Sequence, residues 1–368
     1  MKGLFLVFAL LFSLYTGYAQ IRFVDRDTGL GVPAVNIYSE KGTLLGFTDK
    51  EGVLSLLENV DQKNLWPLKI TVQHISYEQM SWVINSAAEE QTYSLSPRSN
   101  IIEDIAINAT TPKEVIVLKG YYRSLETFDL KQKYFVDGIM EYYIPIAKGK
   151  PKYRLLEYRV FQDSALLKEY NEKMGPFFQI PRVPKLVEIK LSKRLSKLDV
   201  QEVENGRTAL LKEGKKVGYI TQSEEKGSTQ FYIDMVLPDS VKKEKIFRLE
   251  ARTKSAVQME NYSSMDIEEI DYRNLQSIYQ NIVATIKRKS VFGRIPYESL
   301  NEFYVIERSF ISMAEYKEIE KNLVKSIYKT VEKSSYKNKF WENLDEYNIP
   351  PVQEGLQEKL GGKLQFIK

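Results

Sequence analysis

The stretch GFTDKEGVLSL (residues 46–56) joins two short apolar runs through a Thr-Asp pair and a Glu-Gly pair. Asp49 can accept hydrogen bonds from loop amides, and Gly52 can take the positive φ that closes a tight loop without a steric penalty. The alternative is a calcium loop, which needs alternating oxygen ligands over about twelve residues and a terminal Glu. Because apolar Val53 and Leu54 follow at once, the pattern favours a hairpin between antiparallel strands.

Short β-type runs with the same organisation continue on both sides of this hairpin. Turn residues separate runs at residues 21–24, 34–38, 43–48, 53–57, 68–72, 80–84 and 91–95. Strands this short and regular predict a seven-stranded β-sandwich over residues 20–109.

The same region resembles the carboxypeptidase-regulatory-like domain, a transthyretin-like β-sandwich common in exported Bacteroidetes proteins. The matching elements are DRDTGLGVPAVNIY, GTLLGFTDKEGVLSL, LKITVQHISYEQM, TYSLSP and IIEDIAINA, which together span residues 25–109. One departure is Ser76, since family members usually place Gly before the residue that corresponds to Tyr77. The resemblance implies an accessory β-domain without catalytic residues, often attached to an envelope or transport component.

The rest of the chain predicts a linker at residues 110–118 and a second, α+β domain with an antiparallel sheet at residues 119–368. Aromatic-rich runs at residues 134–146 and 153–161 indicate strands, whereas apolar residues at helical spacing predict helices over residues 270–288 and 314–331. The elements GYYRSLETF, YFVDGIMEYYIP and FWENLDEYNIPPVQEGLQEKL resemble the soluble region of uncharacterised Bacteroidetes envelope proteins.

Residues 1–19 have the features of a secretory signal peptide. Lys2 is the only charge, residues 4–14 form an apolar run, and Gly17 and Ala19 are small residues at the cleavage positions. An uncleaved anchor is the alternative, but the run is shorter than the roughly 20 residues that span a bilayer. We therefore expect an exported protein, in the periplasm or associated with the outer membrane.

The amino-acid composition limits which binding partners and which kinds of chemical site the protein can have. The chain has no cysteine, which excludes disulfides and thiolate sites, and its formal charge of +4 does not favour nucleic acid. We expect a protein or glycan of the cell envelope as partner, at the periphery of the outer membrane. A Lys-rich region at residues 185–216 is either a solvated face or a contact for anionic lipid.

Residues for catalysis are scarce. His74 is the only histidine and lies in a β-type run, which favours a structural role, and no nucleotide or zinc motif is present, so we expect no cofactor and no metal. Asp266, Glu268, Glu269 and Asp271 could hold a cation or supply an acid/base pair, but they also suit the start of a helix. A non-enzymatic binding protein is the leading hypothesis, and a carboxylate-dependent, glycosidase-like hydrolase is the alternative.

Tyr122 and Arg123 are the candidate partner-binding residues. Arg123 lies between aromatic residues and could stack on a partner or pair with it. A buried salt bridge is the competing interpretation of this arginine.

Overall fold

The computed structural model describes residues 20–57, 60, 67–86, 90–98, 113–175, 181–202, 207–237, 240–246, 248–289 and 293–368. The predicted signal peptide, the element IIEDIAINA and the first residues of the predicted linker lie outside these ranges. The described chain is mainly β, with antiparallel sheets and a few short helices.

The first part, here called the N-terminal unit (the described residues of 20–98), contains seven strands. They are β1 (Ile21–Asp25), β2 (Asn36–Ser39), β3 (Leu44–Thr48), β4 (Leu54–Leu56), β5 (Leu68–His74), β6 (Tyr77–Ile84) and β7 (Gln91–Leu95). Five of them form an antiparallel sheet in the order β4-β3-β2-β5-β6, and β1 pairs with β7 in parallel. Phe23, Val35, Ile37 and Ile70 are fully buried in its apolar core.

The hairpin predicted at residues 46–56 is confirmed. Strands β3 and β4 pair antiparallel, with Gly46 opposite Leu56 and Thr48 opposite Leu54. Asp49 Oδ1 accepts hydrogen bonds from the amides of Glu51 and Val53, at 3.0 and 2.9 Å. Gly52 has a φ of 79°, and a Cβ at this position would lie 2.4 Å from the Phe23 carbonyl oxygen.

The second part, here called the large sheet, has twelve strands in the described chain. They are β8 (Val115–Phe128), β9 (Lys131–Pro145), β10 (Lys152–Gln162), β11 (Asp199–Glu202), β12 (Arg207–Lys212), β13 (Lys215–Ser223), β14 (Ser228–Asp234), β15 (Lys242–Ile246), β16 (Leu249–Tyr262), β17 (Leu275–Arg288), β18 (Ile295–Ile311) and β19 (Gln365–Phe366). The order is β11-β12-β13-β14-β16-β17-β18-β8-β9-β10-β19, and β15 also pairs with β16. Strand β8 begins at Val115, so residues 115–118 of the predicted linker belong to it.

Helices are short and lie between strands. The α-helices are α1 (Ser164–Met174), α2 (Leu191–Leu195), α3 (Met313–Ile319) and α4 (Glu354–Gln357), and 3-10 turns occur at Tyr272–Asn274, Glu320–Asn322, Phe340–Glu342 and Leu344–Tyr347. The helix predicted over residues 314–331 is wrong beyond residue 319. Its later apolar residues Val324, Ile327 and Val331 lie in a segment without α-helix that packs on the sheet.

The helix predicted over residues 270–288 is wrong, because residues 275–288 form strand β17. The large sheet is covered on both faces, so ten of the fourteen residues of this strand are buried and the alternation typical of a one-sided strand is lost. Apolar residues on both faces then imitate helical spacing. β-Branched Ile278, Ile282, Val283 and Ile286 suit a strand better than a helix.

The N-terminal unit packs against one face of the large sheet, here called the near face. Ala34 and Ile75 of the unit join a cluster with Val257 and Met259 of the sheet. Asn36 Nδ2 donates a 2.8 Å hydrogen bond to the Tyr279 hydroxyl. The opposite, far face is covered by the segment of residues 181–198 and by part of residues 324–331.

Candidate functional site: a polar groove at the junction

A polar groove of about 240 Å³ lies where the N-terminal unit meets strands β12–β14 and β16 of the large sheet. Turns of the unit around residues 25–33, 76–77 and 97–98 form one wall, and side chains of the sheet form the other. We call this cavity the junction groove. Its lining includes acids, bases, amides and a tyrosine, which are Asp25, Asp27, Tyr77, Arg98, Arg207, Gln222, Glu225, Lys226, Gln230, Asn261 and Gln276.

Amide side chains form a hydrogen-bonded network across the groove. Gln230 Nε2 donates to Ser76 Oγ and to Asn261 Oδ1, both at 3.0 Å. Asn261 Nδ2 donates to Ser76 Oγ at 3.1 Å and to Ser277 Oγ at 2.8 Å. The amides are therefore held in fixed orientations, while Gln276 adds a further amide to the wall. Fixed donors and acceptors can recognise a polar ligand with little loss of entropy.

Tyr77 and Asp25 fix the wall that belongs to the N-terminal unit. The Tyr77 hydroxyl donates a 2.7 Å hydrogen bond to Asp25 Oδ2. Asp25 Oδ1 accepts from the amides of Asp27 and Thr28, at 2.9 and 2.7 Å, so this carboxylate is occupied by the turn. Burial, and then the negative charge of Asp25, raise the pKa of Tyr77 above its ordinary value, so the hydroxyl stays protonated.

Two arginines of the lining make contacts between the N-terminal unit and the rest of the chain. Arg207 Nη2 donates to the Gly31 carbonyl at 3.1 Å, and its guanidinium lies 4.6 Å from the Tyr219 ring centroid. Arg98 Nη2 donates to the Asn348 carbonyl at 3.0 Å, and its Nη1 lies 3.6 Å from Glu78 Oε2. Burial lowers the pKa of Arg207, but a guanidinium remains charged in proteins.

Positive and negative side chains balance in the lining of the junction groove. Arg98, Arg207 and Lys226 provide three positive charges, and Asp25, Asp27 and Glu225 provide three negative charges. An uncharged polar ligand suits such a lining better than a polyanion.

The two residues predicted to bind a partner lie inside the protein, on opposite faces of β8. Tyr122 packs in the far-face core with Tyr142 and Phe303. Arg123 lies on the near face and is only 4 % exposed. A partner could reach either side chain only by displacing the segments that cover them, so neither belongs to the junction groove.

Arg123 forms a buried ion pair with Glu302, which lies directly opposite it on β18. Its Nη1 also donates to the carbonyls of Pro350 and Pro351, at 2.9 and 3.2 Å. The Glu302 carboxylate and the two proline carbonyls satisfy the buried guanidinium, so the role of Arg123 is structural.

The acidic residues at 266–271 do not converge on a cavity of the described chain. Asp271 caps the 3-10 turn at Tyr272–Asn274 and binds Arg273 Nε at 2.8 Å. Asp266 accepts a hydrogen bond from the Glu268 amide, and Glu268 is exposed. These carboxylates stabilise a turn that precedes β17, where the sequence had suggested the start of a helix.

His74 lies in the N-terminal unit, away from the acids. Its Nδ1 accepts a hydrogen bond from the Ser76 amide at 3.1 Å, and its ring packs edge-on against Tyr77. Burial lowers the pKa of His74 to about 3, with the Pro33 backbone opposing the shift. The imidazole is therefore neutral at physiological pH and orients the turn beside the groove.

Sequence reasoning did not identify the residues of the junction groove. They come from seven separate segments between residues 25 and 276, and no pattern in the sequence links these segments to one another. Only the unusual Ser76 before Tyr77 was visible in the sequence, and it lies at the centre of the amide network.

Among the residues that the structure describes, no helix is both long and apolar enough to cross a membrane. No group of three or more His, Asp or Glu side chains there is arranged to hold a metal ion.

Comparison with known proteins gives no family assignment. No family model matches the chain, and no curated protein matches it. Solved structures that it resembles weakly include DynF from the dynemicin biosynthesis pathway of Micromonospora chersina, with 10% identity, a TM-score of 0.19, and coverage of 59% of this chain and 90% of that chain. A second solved structure, of lipid–protein interactions in lipovitellin, has 8% identity and a TM-score of 0.21. The match covers 61% of this chain and 27% of that chain. TM-scores this low carry no argument about fold or function.

Proposed function

We propose that this protein is an exported, non-enzymatic component of the bacterial cell envelope that binds a glycan in the junction groove. In this proposal the N-terminal unit is a transthyretin-like, seven-stranded sandwich of the carboxypeptidase-regulatory-like type. It serves as an accessory module that supplies one wall of the groove.

The observation that carries the proposal is the polar lining of the junction groove, built from both parts of the chain. Gln222, Gln230, Asn261 and Gln276 present amides, and Tyr77 adds an aromatic ring with a hydroxyl. Sugar hydroxyls both donate and accept hydrogen bonds, as amides do, and aromatic rings pack against the apolar faces of sugars. The balanced charge of the lining also suits a neutral carbohydrate.

The size of the groove favours part of a polymer. Its volume of about 240 Å³ is slightly below the roughly 300–1,000 Å³ of sites that enclose small ligands. A protein partner would instead need an interface of about 800 Å² on each side with aromatic anchors at its centre. A short portion of a glycan chain is the better fit.

The alternative hydrolase needs two carboxyl groups that face each other across a cavity, roughly 5–10 Å apart. The groove has acids in Asp25, Asp27 and Glu225, but Asp25 is occupied by the turn and by Tyr77. Hydrolytic release of reducing sugar by the purified chain, lost in Asp27→Asn or Glu225→Gln, would favour the hydrolase.

Binding can be tested with soluble fragments of envelope glycans on an array, followed by isothermal titration calorimetry of the positive fragments. We expect Gln230→Ala and Gln276→Ala to weaken binding about tenfold each, because each removes hydrogen bonds to a desolvated ligand. Gln201→Ala is the matched control, because Gln201 is an exposed amide on edge strand β11.

Circular dichroism of each variant separates loss of binding from loss of fold. Equal affinity of the wild type and both groove variants for every positive glycan would exclude the groove as the site. Fractionation of cells that produce the full chain tests export separately, and retention of the protein in the cytoplasm would contradict that part of the proposal.

A further inference from the structure

A second, apolar cleft of about 630 Å³ opens on the far face of the large sheet. Ala256, Ile282 and Ser299 line it, and they alternate along their strands with Val257, Val283 and Leu300, which face the N-terminal unit. The cleft therefore lies on the other side of the sheet from the side chains that contact the unit. Its volume falls within the roughly 300–1,000 Å³ range of ligand sites.

Small residues on neighbouring strands create the hollow. Ala251 and Ala256 on β16, Ala284 on β17 and Ser299 on β18 form its floor. Elsewhere on this face the same strands carry large residues, such as Tyr262, Ile278 and Phe303, which fill the core. Because these four small side chains are adjacent, the segments that cover the sheet do not fill the volume above them, and a cavity remains.

The walls of the cleft are formed by large apolar side chains that remain accessible to solvent. Met235 is 56 % exposed, Val241 is 41 % exposed and Tyr328 is 44 % exposed. These are three of the eight large apolar side chains that are clearly exposed in the described residues. Such a concentration around one hollow marks a surface that is covered when a ligand binds.

The rim of the cleft is positively charged. Lys212, Lys242 and Glu244 line it, and Lys242 Nζ lies 2.7 Å from Glu244 Oε1. Lys212 has no ion-pair partner among the residues that the structure describes, and its side chain is exposed. One cation is therefore left to pair with a negatively charged group at the mouth of an apolar site.

We propose that this apolar cleft binds a long-chain fatty acid, with the acyl chain over the small-residue floor and the carboxylate at Lys212. The apolar walls match the chain, and the single unpaired cation matches one negative charge. Ser240 and Thr253 also line the cleft and add hydroxyl groups to it. This site is independent of the glycan site, because the two cavities share no lining residue.

Fluorescence titration with monomeric cis-parinaric acid tests the proposal on the full mature chain. We expect saturable binding of one molecule per chain and displacement by palmitic acid. Met235→Glu places a charge on the apolar wall and should weaken binding at least tenfold. Met235 is largely exposed, so this variant retains the fold, and Val83→Glu is the matched control at a residue of the N-terminal unit that is 55 % exposed.

Lys212→Gln tests the charge. Loss of one exposed ion pair should weaken binding about two- to fivefold, and Lys212→Arg should restore it. Lys363→Gln, at an exposed lysine far along the chain, should have no effect. Hexadecanol, which has no carboxylate, should bind the wild type and Lys212→Gln equally.

Ala256→Leu tests the hollow itself, because the larger side chain occupies the space above Ala256 and should weaken binding of the fatty acid. Absence of saturable binding, or equal binding by Met235→Glu and the wild type, would overturn the proposal. Binding to anionic vesicles without binding of the monomeric acid would overturn it as well, because the surface would then dock on a membrane.

Discussion

The N-terminal unit and the large sheet both bury polar side chains, but the buried side chains are of different types. In the described part of the unit the buried polar residues are neutral at physiological pH, namely Asn36, Thr48, Thr71, Gln73 and His74. The large sheet buries eight acidic or basic residues, which are Arg123, Glu126, Lys133, Asp137, Glu260, Asp271, Glu298 and Glu302. The unit relies on an apolar core and turn chemistry, and the sheet relies in addition on paired charges.

This difference relates to the way each part fixes the register of its strands. Short strands in the unit are held by specific turns, such as the Asp49 loop. Long strands of the sheet could slip, and a shift of one residue would move Arg123 away from Glu302 and to the opposite face. Buried ion pairs make such a shift costly, because each would leave an unpaired charge in the core.

The largest expected effect is the loss of one partner of the Arg123–Glu302 pair. Arg123→Met should lower the free energy of unfolding by about 3–5 kcal/mol, because Glu302 is left buried without its cation. Urea unfolding at pH 7 measures this. The double variant Arg123→Met with Glu302→Leu should recover most of the loss, and Lys339→Met, which breaks an exposed pair with Glu342, should change nothing measurable. If Arg123→Met alone were as stable as the wild type, the large sheet would not depend on paired charges and would not differ from the N-terminal unit in this respect.

In the N-terminal unit, we expect acid to lower the stability of the fold by protonating His74. Its folded-state pKa of about 3 lies below the ordinary value of 6.5, so the stability it contributes is complete above pH 6.5 and is lost as the pH falls towards 3. We expect about 3 kcal/mol of this loss by pH 4. His74→Gln should flatten this part of the pH profile of urea unfolding. An unchanged slope between pH 6.5 and 4 in the variant would contradict the assignment.

In the large sheet, we expect the opposite pH dependence at Glu298, where stability falls as the pH rises. Burial raises the pKa of Glu298 from 4.5 to about 7, although hydrogen bonds from Thr127 and Asn281 oppose the shift. Its contribution to stability is therefore complete below pH 4.5 and is lost as the pH rises through 7, by about 3 kcal/mol. Glu298→Gln should be more stable than the wild type at pH 8 and similar to it at pH 4. Differential scanning fluorimetry across this range measures the difference.

The smallest effect is expected at the Asp49 turn. Asp49→Ala removes two hydrogen bonds to amides in an exposed loop and should lower the free energy of unfolding by about 1 kcal/mol. Asp49→Asn retains an acceptor and should be close to the wild type. If Asp49→Ala were as damaging as Arg123→Met, turn chemistry would matter as much as paired charge.

The sequence predicted the parts of this fold in which local chemistry is sufficient. Asp49 and Gly52 mark a turn by their residue types, and the strands around them lie within a few residues of their predicted positions. Residues 275–288 could not be predicted correctly, because cover on both faces of the sheet removes the periodicity that separates strands from helices. The junction groove could not be predicted either, since Gln230 and Asn261 meet through the pairing of distant strands and Ser76 reaches them only when the N-terminal unit packs on the sheet.

The carbonyls of Pro350 and Pro351 that bind Arg123 belong to a segment that also touches the N-terminal unit. In this segment a Cβ at Gly355 would lie 2.4 Å from the Gly42 amide nitrogen, so only glycine permits the contact. Because polypeptides are synthesised from the N-terminus, the Arg123 guanidinium lacks these two carbonyl acceptors until Pro350 and Pro351 have been made. The complete burial of this arginine and the contact between Gly42 and Gly355 thus depend on a segment that is synthesised about 227 residues after Arg123.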